Sequence, residues 1–318
     1  MHPHQAVASA KLAARFVCAP LLAGLLLTSC GSAAPTASSS PAARYPVSIA
    51  QPGGGTVTVE RQPRRIVSLS ATATEMLFAI DAGAQVVAVD DQSNYPANAP
   101  MTKLSGFTPN VEAIAGYTPD LVVASDDIGG LVHGMQALHV PVLLEPAAKT
   151  LDDSYAQIQQ LGAATGHPME AASLIAKMRS EVRTFEATLA KSTRPLRVYH
   201  ELDNTYYSAT SATFIGQVYK LFGLTNIADG ATGGAPDYPQ LSAEYIVSSN
   251  PDLIVLADTK CCNQTLSSVA ARPGWGGINA VKSGQVVNVD DDIASRWGPR
   301  IIDFIETIAP HIEQLEAA

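Results

Sequence analysis

A gapless internal repeat constrains the fold of this chain more than any other feature. Residues 111–125 read VEAIAGYTPDLVVAS and residues 243–257 read AEYIVSSNPDLIVLA, 132 positions further on. Each copy has Glu at its second position, Pro-Asp at its ninth and tenth, and an apolar run at its end. Pro-Asp is a common helix-to-strand turn in α/β proteins, so either copy alone would carry little information. The shared Glu and the constant offset favour a duplicated unit, with one copy in each of two lobes.

Short apolar strands alternate with helices in both halves of the chain. A Gly-rich hairpin over 47–60 is followed by strand RIVSLS at 65–70, a helix and strand VVAVD at 86–90. The alternation restarts with LRVYHEL at 196–202. Alternating strands and helices indicate mostly parallel sheets covered by helices, which predicts the α/β fold class.

A long helical segment separates the two halves. Its sequence, PMEAASLIAKMRSEVRTFEATLAKS, begins with Pro at a helix-compatible first position. At 1.5 Å per residue it would reach about 37 Å, which is long for a helix inside one small lobe. We therefore predict an N-terminal lobe over 46–166, a connecting helix over 167–193 and a C-terminal lobe over 194–318.

The N-terminus has the pattern of an export signal. Lys11 and Arg15 precede an apolar run of about 14 residues, too short to span a bilayer. The run ends in LTSCG at 27–31, which resembles a bacterial lipobox with Cys30 as the lipidated residue. We predict a signal peptide over 1–29, a flexible Ser/Ala/Pro-rich tether over 30–45 and a lipid anchor on the outer face of the cell membrane. The alternative is an ordinary secretory signal with an incidental Cys.

Composition and motifs exclude several classes of function. The net charge of -9 argues against a nucleic-acid binder, which would show a basic face. No G-x-S-x-G, HExxH or P-loop motif is present, and the histidines are scattered without ligand spacing. The sequence therefore predicts neither an enzyme nor a metal site. Cys261 and Cys262 are adjacent, and in an exported protein they form either a vicinal disulfide or two loop thiols.

The loops that follow the strands hold the candidate ligand-binding residues. Ligands of parallel α/β sheets bind at the carboxyl ends of the strands, and two facing sheets form a cleft. Several of these loops carry aromatic side chains, whose flat faces suit a large, partly hydrophobic ligand. The candidate ligand-binding residues are Ser70, Thr72, Tyr95, Phe107, Asp126, Asp127, Tyr206, Tyr207, Arg296 and Trp297.

The segment RIVSLSATATEMLFAIDAGAQVVAVDDQSNYP, the two Glu segments and RPGW followed by NAVKSGQVVNVD resemble one class of proteins. These are the substrate-binding proteins of ABC importers that capture cobalamin, ferric siderophores or haem, and the resemblance covers residues 60–312. It implies two Rossmann-like lobes joined by a rigid helix, with little hinge closure. It also implies a partnership with a permease dimer and its ATPase, and no resident cofactor.

The same resemblance assigns a role to the repeated Glu residues. In this class one Glu from each lobe docks into a basic pocket of the permease dimer, and the matching positions are Glu112 and Glu244. A body with two similar lobes, expected to be a monomer, can present one carboxylate to each permease subunit, and such charged pairs set orientation. The alternative for either Glu alone is complementing a helix dipole, worth about 0.3–1 kcal/mol.

The ligand follows less directly from the residues. Phe107 stands where a haem binder of the class would place a Tyr, and the candidate loops carry more Asp than Arg or Lys, which disfavours a multiply anionic ligand. SNYP and SGF resemble the aromatic positions of the cobalamin-binding branch. A cobalt corrinoid is therefore our first prediction, and an iron chelate, either a ferric hydroxamate or haem, is the alternative. A second alternative is a surface-anchored binding protein without a transport role.

Overall fold

The computed structural model describes residues 44–189, 195–231 and 237–317. The predicted signal peptide, most of the predicted tether and the predicted lipidation site Cys30 lie outside these ranges. Within them, no helix combines the length and the apolar character needed to cross a membrane.

The first lobe contains a short hairpin, a five-stranded sheet and the helices that cover it. Its elements in chain order are β1 (Val47–Ala50), β2 (Thr56–Val59), β3 (Ile66–Leu69), α1 (Ala71–Ala79), β4 (Val86–Asp90), β5 (Met101–Leu104), α2 (Val111–Ala115), β6 (Leu121–Ala124), α3 (Leu131–Ala137), β7 (Val142–Leu144) and α4 (Leu151–Thr165). The Gly-rich turn joins β1 to β2 as an antiparallel pair. The large sheet has the order β5-β4-β3-β6-β7 and is parallel throughout.

A long helix, α5 (Pro168–Thr188), leads to the second lobe. The elements of that lobe are β8 (Arg197–Glu201), α6 (Phe214–Leu221), β9 (Thr225–Asn226), α7 (Ala243–Ser249), β10 (Leu253–Leu256), α8 (Thr259–Cys262), α9 (Leu266–Ala270), α10 (Asn279–Ser283), β11 (Val286–Asn288), α11 (Asp291–Ser295) and α12 (Ile301–Glu316). Its sheet has the order β11-β10-β8-β9 and is also parallel. The predicted α/β class with two Rossmann-like lobes is thus confirmed.

The internal repeat is visible in the strand register. In the first lobe Ile66 on β3 pairs with Leu121 on β6, and in the second Val198 on β8 pairs with Leu253 on β10. Both residues of the second pair lie 132 positions after those of the first. The two halves therefore use the same register, as a duplicated unit requires.

The Asp of each Pro-Asp turn explains why the turn is repeated. Asp120 accepts a hydrogen bond from the backbone N–H of Arg65 at 2.9 Å, and Asp252 accepts one from the N–H of Arg197 at 2.9 Å. In each case the carboxylate binds the backbone at the start of the neighbouring strand, because Arg65 directly precedes β3 and Arg197 is the first residue of β8. The repeated Pro-Asp is therefore a structural device that closes the helix-to-strand turn onto the sheet.

The helices between the lobes give the two sheets a common core. Helix α4 ends at Gly166 in the left-handed region (φ 84°), and α5 then begins at Pro168 and packs back against α4. The crossing is tight, because a Cβ on Gly162 would lie 2.5 Å from that of Ala171. One continuous hydrophobic cluster runs from Met76 in the first lobe to Phe304 on α12 in the second. Such a shared core opposes large hinge movements between the lobes.

Candidate functional site: the cleft between the lobes

A cleft of about 430 Å³ lies between the carboxyl ends of the first-lobe strands and residues 291–297 of the second lobe. This volume is in the range of small-molecule sites. Six of the ten predicted ligand-binding residues line it, and they come from both lobes: Ser70, Thr72, Phe107, Asp126, Arg296 and Trp297.

The first-lobe wall is built by the loops after β3, β5 and β6. Ser70 follows β3 and caps α1, accepting a hydrogen bond from the N–H of Ala73 at 3.3 Å. After β5, Gly106 approaches the end of β3 so closely that a Cβ there would lie 2.4 Å from the backbone oxygen of Leu69. This approach places Phe107 at the rim with 72% of its surface exposed, and Ile128 is exposed beside the cleft as well. The rim therefore offers two exposed apolar side chains.

The other four predicted ligand-binding residues are not among those that line the cleft. The ring of Tyr95 lies 4.2 Å from the guanidinium of Arg300, and Asp127 accepts a hydrogen bond from the N–H of Val132 at the start of α3. Tyr206 packs at 5.7 Å against the buried Trp275, as part of the second-lobe core. Tyr207, which is 41% exposed, pairs with Gln240 in an isolated bridge.

Arg296 lines the cleft, and behind it lies an ion pair between the lobes that was not predicted from the sequence. We call this network of paired charges the floor of the cleft. Glu75 on α1 is only 3% exposed and faces two arginines of the second lobe. Arg296 donates to Glu75 Oε1 at 2.7 Å, and Arg300 donates to Glu75 Oε2 at 2.9 Å. Arg296 also donates to the backbone oxygen of Gln92 and to Asn94 Oδ1, both at 2.9 Å. The sequence signal was available, because Glu75 is a charged residue inside an apolar helix, but its partners are more than 200 positions away.

Trp297 forms a second connection between the lobes at the cleft. Its indole Nε1 donates to Gln157 Oε1 at 2.8 Å, and its backbone oxygen accepts from Ser154 Oγ at 2.5 Å. Both partners lie on α4 of the first lobe. The aromatic face that the sequence predicted for ligand contact is thus held in a fixed orientation.

The acidic residues of the second-lobe wall already have partners. Lys260 Nζ donates to Asp290 and to Asp292, both at 2.7 Å, and Asp292 also accepts from Arg296 at 3.0 Å. Burial acts to raise the pKa of Asp292, but hydrogen bonds from Lys260 and Asn94 lower it overall. The carboxylate of Asp291 accepts backbone hydrogen bonds at the start of α8. Asp290 and Asp292 are therefore paired with basic side chains, so the second-lobe wall carries less unpaired negative charge than the number of acids in the sequence suggests.

In the first lobe, Asp90 lies at the cleft as a buried residue at the end of β4. Ser93 Oγ donates to its carboxylate at 2.5 Å. Burial raises the pKa of Asp90 despite this bond. Asp126, by contrast, is an exposed carboxylate on the cleft wall.

A buried polar cluster lies in the second lobe at the ends of β8 and β10. Arg272 donates to both oxygens of Glu201, at 2.5 and 2.6 Å, and its guanidinium lies 4.5 Å from the Trp275 ring. Asp258 is fully buried, and neither of its carboxylate oxygens has a hydrogen-bond partner among the described residues. Burial, together with the neighbouring Glu201, raises the pKa of Asp258 to about 8. RPGW, which supplies Arg272 and Trp275, is therefore part of the lobe's internal structure.

Cys261 and Cys262 are joined in a vicinal disulfide on α8. Among the described residues, no group of three or more His, Cys, Asp or Glu side chains is placed to hold a metal ion.

Glu112 and Glu244 occupy equivalent places in the two lobes. Each is the second residue of a short helix, α2 or α7, and each is exposed. The helices are capped alike, because Asn110 accepts from the N–H three residues on at 2.8 Å and Ser242 does so at 3.1 Å. The two carboxylates are thus presented to solvent from the same position of the duplicated unit.

Comparisons with known proteins agree with this architecture. A family described as periplasmic binding protein matches residues 66–293. An uncharacterized ABC transporter substrate-binding lipoprotein, YvrC of Bacillus subtilis, is 30% identical over 305 residues, covering 92% of this chain and 94% of that protein. A cobalamin-binding protein of Halobacterium salinarum is 30% identical over 277 residues, covering 84% of this chain and 74% of that protein.

The fold also matches solved structures. The periplasmic haem-binding protein HutB of Vibrio cholerae superimposes with a TM-score of 0.68, covering 79% of this chain and 98% of that chain. The identity is 21%, so this likeness concerns the fold.

Proposed function

The chain belongs to the periplasmic binding protein family, as a substrate-binding protein of an ABC importer, and we propose that it captures a cobalt corrinoid of the cobalamin type in the cleft between its lobes. The observation that carries this proposal is the chemistry of the cleft. An exposed apolar rim, formed by Phe107 and Ile128, lies above a floor whose charges are paired. Such a site suits a ligand with flat apolar faces and no strong net charge.

Haem is less well matched to this cleft. Haem proteins hold the iron through a His, Tyr, Cys or Met side chain. None of the described residues that line the cleft is of these types. A corrinoid brings its axial ligands with it and needs no such residue. The 30% identity to a cobalamin-binding protein over 84% of the chain also supports the corrinoid.

A ferric hydroxamate is the alternative ligand. Its case rests on the acidic loops, which would favour a cationic complex. Asp290 and Asp292 are paired with Lys260, so among these acids the exposed Asp126 is the one best placed to attract a cation. Because these two acids are paired, we expect the cleft to favour a cationic chelate less, relative to a neutral corrinoid, than the sequence suggests.

Calorimetric titration of the full-length protein in detergent tests the ligand. Cyanocobalamin, haemin and a ferric hydroxamate are titrated separately, and the fluorescence of Trp297 is followed in parallel. We expect saturable binding of cyanocobalamin, with quenching that is largely lost in Trp297→Phe, because Trp275 is buried in the second lobe away from the cleft lining. Binding of haemin or the hydroxamate without any corrinoid binding would overturn the proposal.

Delivery to the importer is proposed to use Glu112 and Glu244. Their equivalent, exposed positions would let a monomer present one carboxylate to each subunit of the permease dimer. A lipid on Cys30 would keep the protein at the outer face of the membrane, where the permease and its ATPase operate.

Uptake by a transport-dependent strain tests the docking. The double variant Glu112→Ala/Glu244→Ala should abolish uptake while leaving ligand affinity unchanged, and Glu306→Ala, an exposed residue of α12, is the matched control. Uptake that survives the double change would refute the docking role. A wild type that binds the ligand but supports no uptake would favour a surface-anchored binding protein without a transport role.

A further inference from the structure

Two arginines of the second lobe converge on one buried carboxylate of the first. Arg296 directly follows α11 and Arg300 directly precedes α12, and both donate to Glu75 on α1. The side chain of Glu75 is 1% exposed, and those of Arg296 and Arg300 are 9% and 14% exposed. Because all three groups are largely removed from water, the charges interact strongly and none can be left unpaired without a large cost.

The pairing continues into the second-lobe wall of the cleft. Arg296 also donates to Asp292, and Lys260 joins Asp292 to Asp290. With Glu75 and Arg300 the network contains three acids and three bases, so its formal charge is zero. Removing Glu75 would leave one positive charge in excess at the floor of the cleft.

Arg296 also forms hydrogen bonds with other residues of the first lobe. Its Nη2 donates to the backbone oxygen of Gln92 and to Asn94 Oδ1. Asn94 in turn donates to Asp292 Oδ2 at 3.0 Å. The floor of the cleft is therefore a single network that crosses between the lobes, and Glu75 is the only acid in it that the first lobe supplies among the described residues.

We propose that Glu75 is a positioning and specificity-determining residue of the cleft: its pairing with Arg296 and Arg300 fixes the spacing of the lobes and leaves no free guanidinium for an anionic ligand. The specificity half of this inference rests on the proposed function, because it assumes that the cleft receives the ligand. The positioning half does not. Substitutions that open the network should weaken binding of a neutral corrinoid, and only a substitution that leaves excess positive charge should improve binding of an anionic chelate.

A double-mutant cycle between the lobes tests the positioning half. The melting temperatures of the full-length protein in detergent are compared for Glu75→Gln, Arg300→Gln and the double variant, with Glu306→Gln as an exposed control on α12. Because the two side chains share one ion pair, the double variant should lose clearly less than the sum of the two single losses. Additive losses would show that the pair does not connect the lobes energetically and would overturn the inference.

Ligand binding tests the specificity half. Cyanocobalamin and a ferric tris-catecholate, which is multiply anionic, are titrated into the same four proteins and the wild type. Cyanocobalamin affinity should fall about tenfold in both Glu75→Gln and Arg300→Gln, because both disturb the floor. Affinity for the tris-catecholate should rise about tenfold in Glu75→Gln alone, and the gain should shrink as salt is added.

The two variants separate a charge effect from simple loss of structure. Both break the pair, but Arg300→Gln removes a positive charge whereas Glu75→Gln leaves one unpaired. Equal responses of the two variants to the tris-catecholate would refute the specificity role. A wild type that binds no corrinoid would remove the proposed function, and the double-mutant cycle would still decide whether Glu75 couples the lobes.

Discussion

Asn in place of Asp258 gives a direct test of the buried cluster in the second lobe. Asp258 follows β10 and lies beside Glu201 at the end of the neighbouring β8. Glu201 accepts two hydrogen bonds from Arg272, which is its ion-pair partner. A second buried carboxylate next to it would have no cation of its own. Burial and the neighbouring Glu201 therefore keep the proton on Asp258 and raise its pKa from 3.8 to about 8.

The magnitude follows from proton linkage. Between pH 4 and pH 8 the folded protein holds a proton on Asp258 that the unfolded chain releases, so this group's contribution to stability is complete below pH 4 and is lost as the pH rises. The contribution of Asp258 to the free energy of unfolding should fall by about 1.4 kcal/mol per pH unit, or about 3 kcal/mol from pH 5 to pH 7. Asn carries no such proton, so Asp258→Asn should lack this part of the pH dependence.

Urea unfolding at several pH values measures the difference in slope between the wild type and Asp258→Asn. Glu145, whose pKa burial raises to about 9, contributes the same trend to both proteins and cancels in the comparison. Asp303→Asn on the exposed face of α12 is the control and should leave the slope unchanged. Equal slopes for the wild type and Asp258→Asn would mean that Asp258 is ionised in the folded protein and would refute the reasoning.

Three further predictions concern the repeat, the buried ion pair and the cleft rim. Asp120→Ala and Asp252→Ala should each lower the free energy of unfolding by about 1–2 kcal/mol in urea titrations, and the loss should be larger for the buried Asp252. A loss in only one of the two variants would contradict the structural equivalence of the two turns. Arg272→Gln should cost about 3–5 kcal/mol in the same assay, because it leaves Glu201 buried without its partner, and a cost below about 1 kcal/mol would show that Glu201 is solvated. Gly106→Ala should weaken cyanocobalamin binding about tenfold in calorimetry. The new Cβ would lie 2.4 Å from a backbone oxygen, so the loop must shift and carry Phe107 with it. Unchanged affinity would exclude this part of the rim from the binding site.

Much of the fold could be predicted from local pattern. The alternation of apolar strands with helices gave the parallel sheets, and the gapless offset gave two lobes with the same strand register. Both patterns can be recognised within short segments of sequence, because strand burial and helix-to-strand turns depend on neighbouring residues. Strand carboxyl ends likewise placed Ser70, Phe107 and Trp297 at the cleft.

The site could be predicted only in part, because side-chain partners are set by the packing of distant segments. Tyr206 follows a strand, as a ligand-binding residue would, but it packs against Trp275 in the core of its own lobe. From the sequence alone, Arg296 counts as a free cation and the Asp residues of the loops count as free anions, because their partners cannot be read along the chain. In the folded protein Arg296 is bound to Glu75, and Asp290 and Asp292 are bound to Lys260.

By itself the sequence determined the class of fold, the two-lobed symmetry and the equivalent exposure of Glu112 and Glu244, because each of these depends on local periodicity and on a repeat that can be read along the chain. Only the tertiary structure decided the charge of the cleft and the link between its walls. Glu75 and Arg296 are 221 positions apart, and their attraction matters only after folding has brought them together and removed them from water.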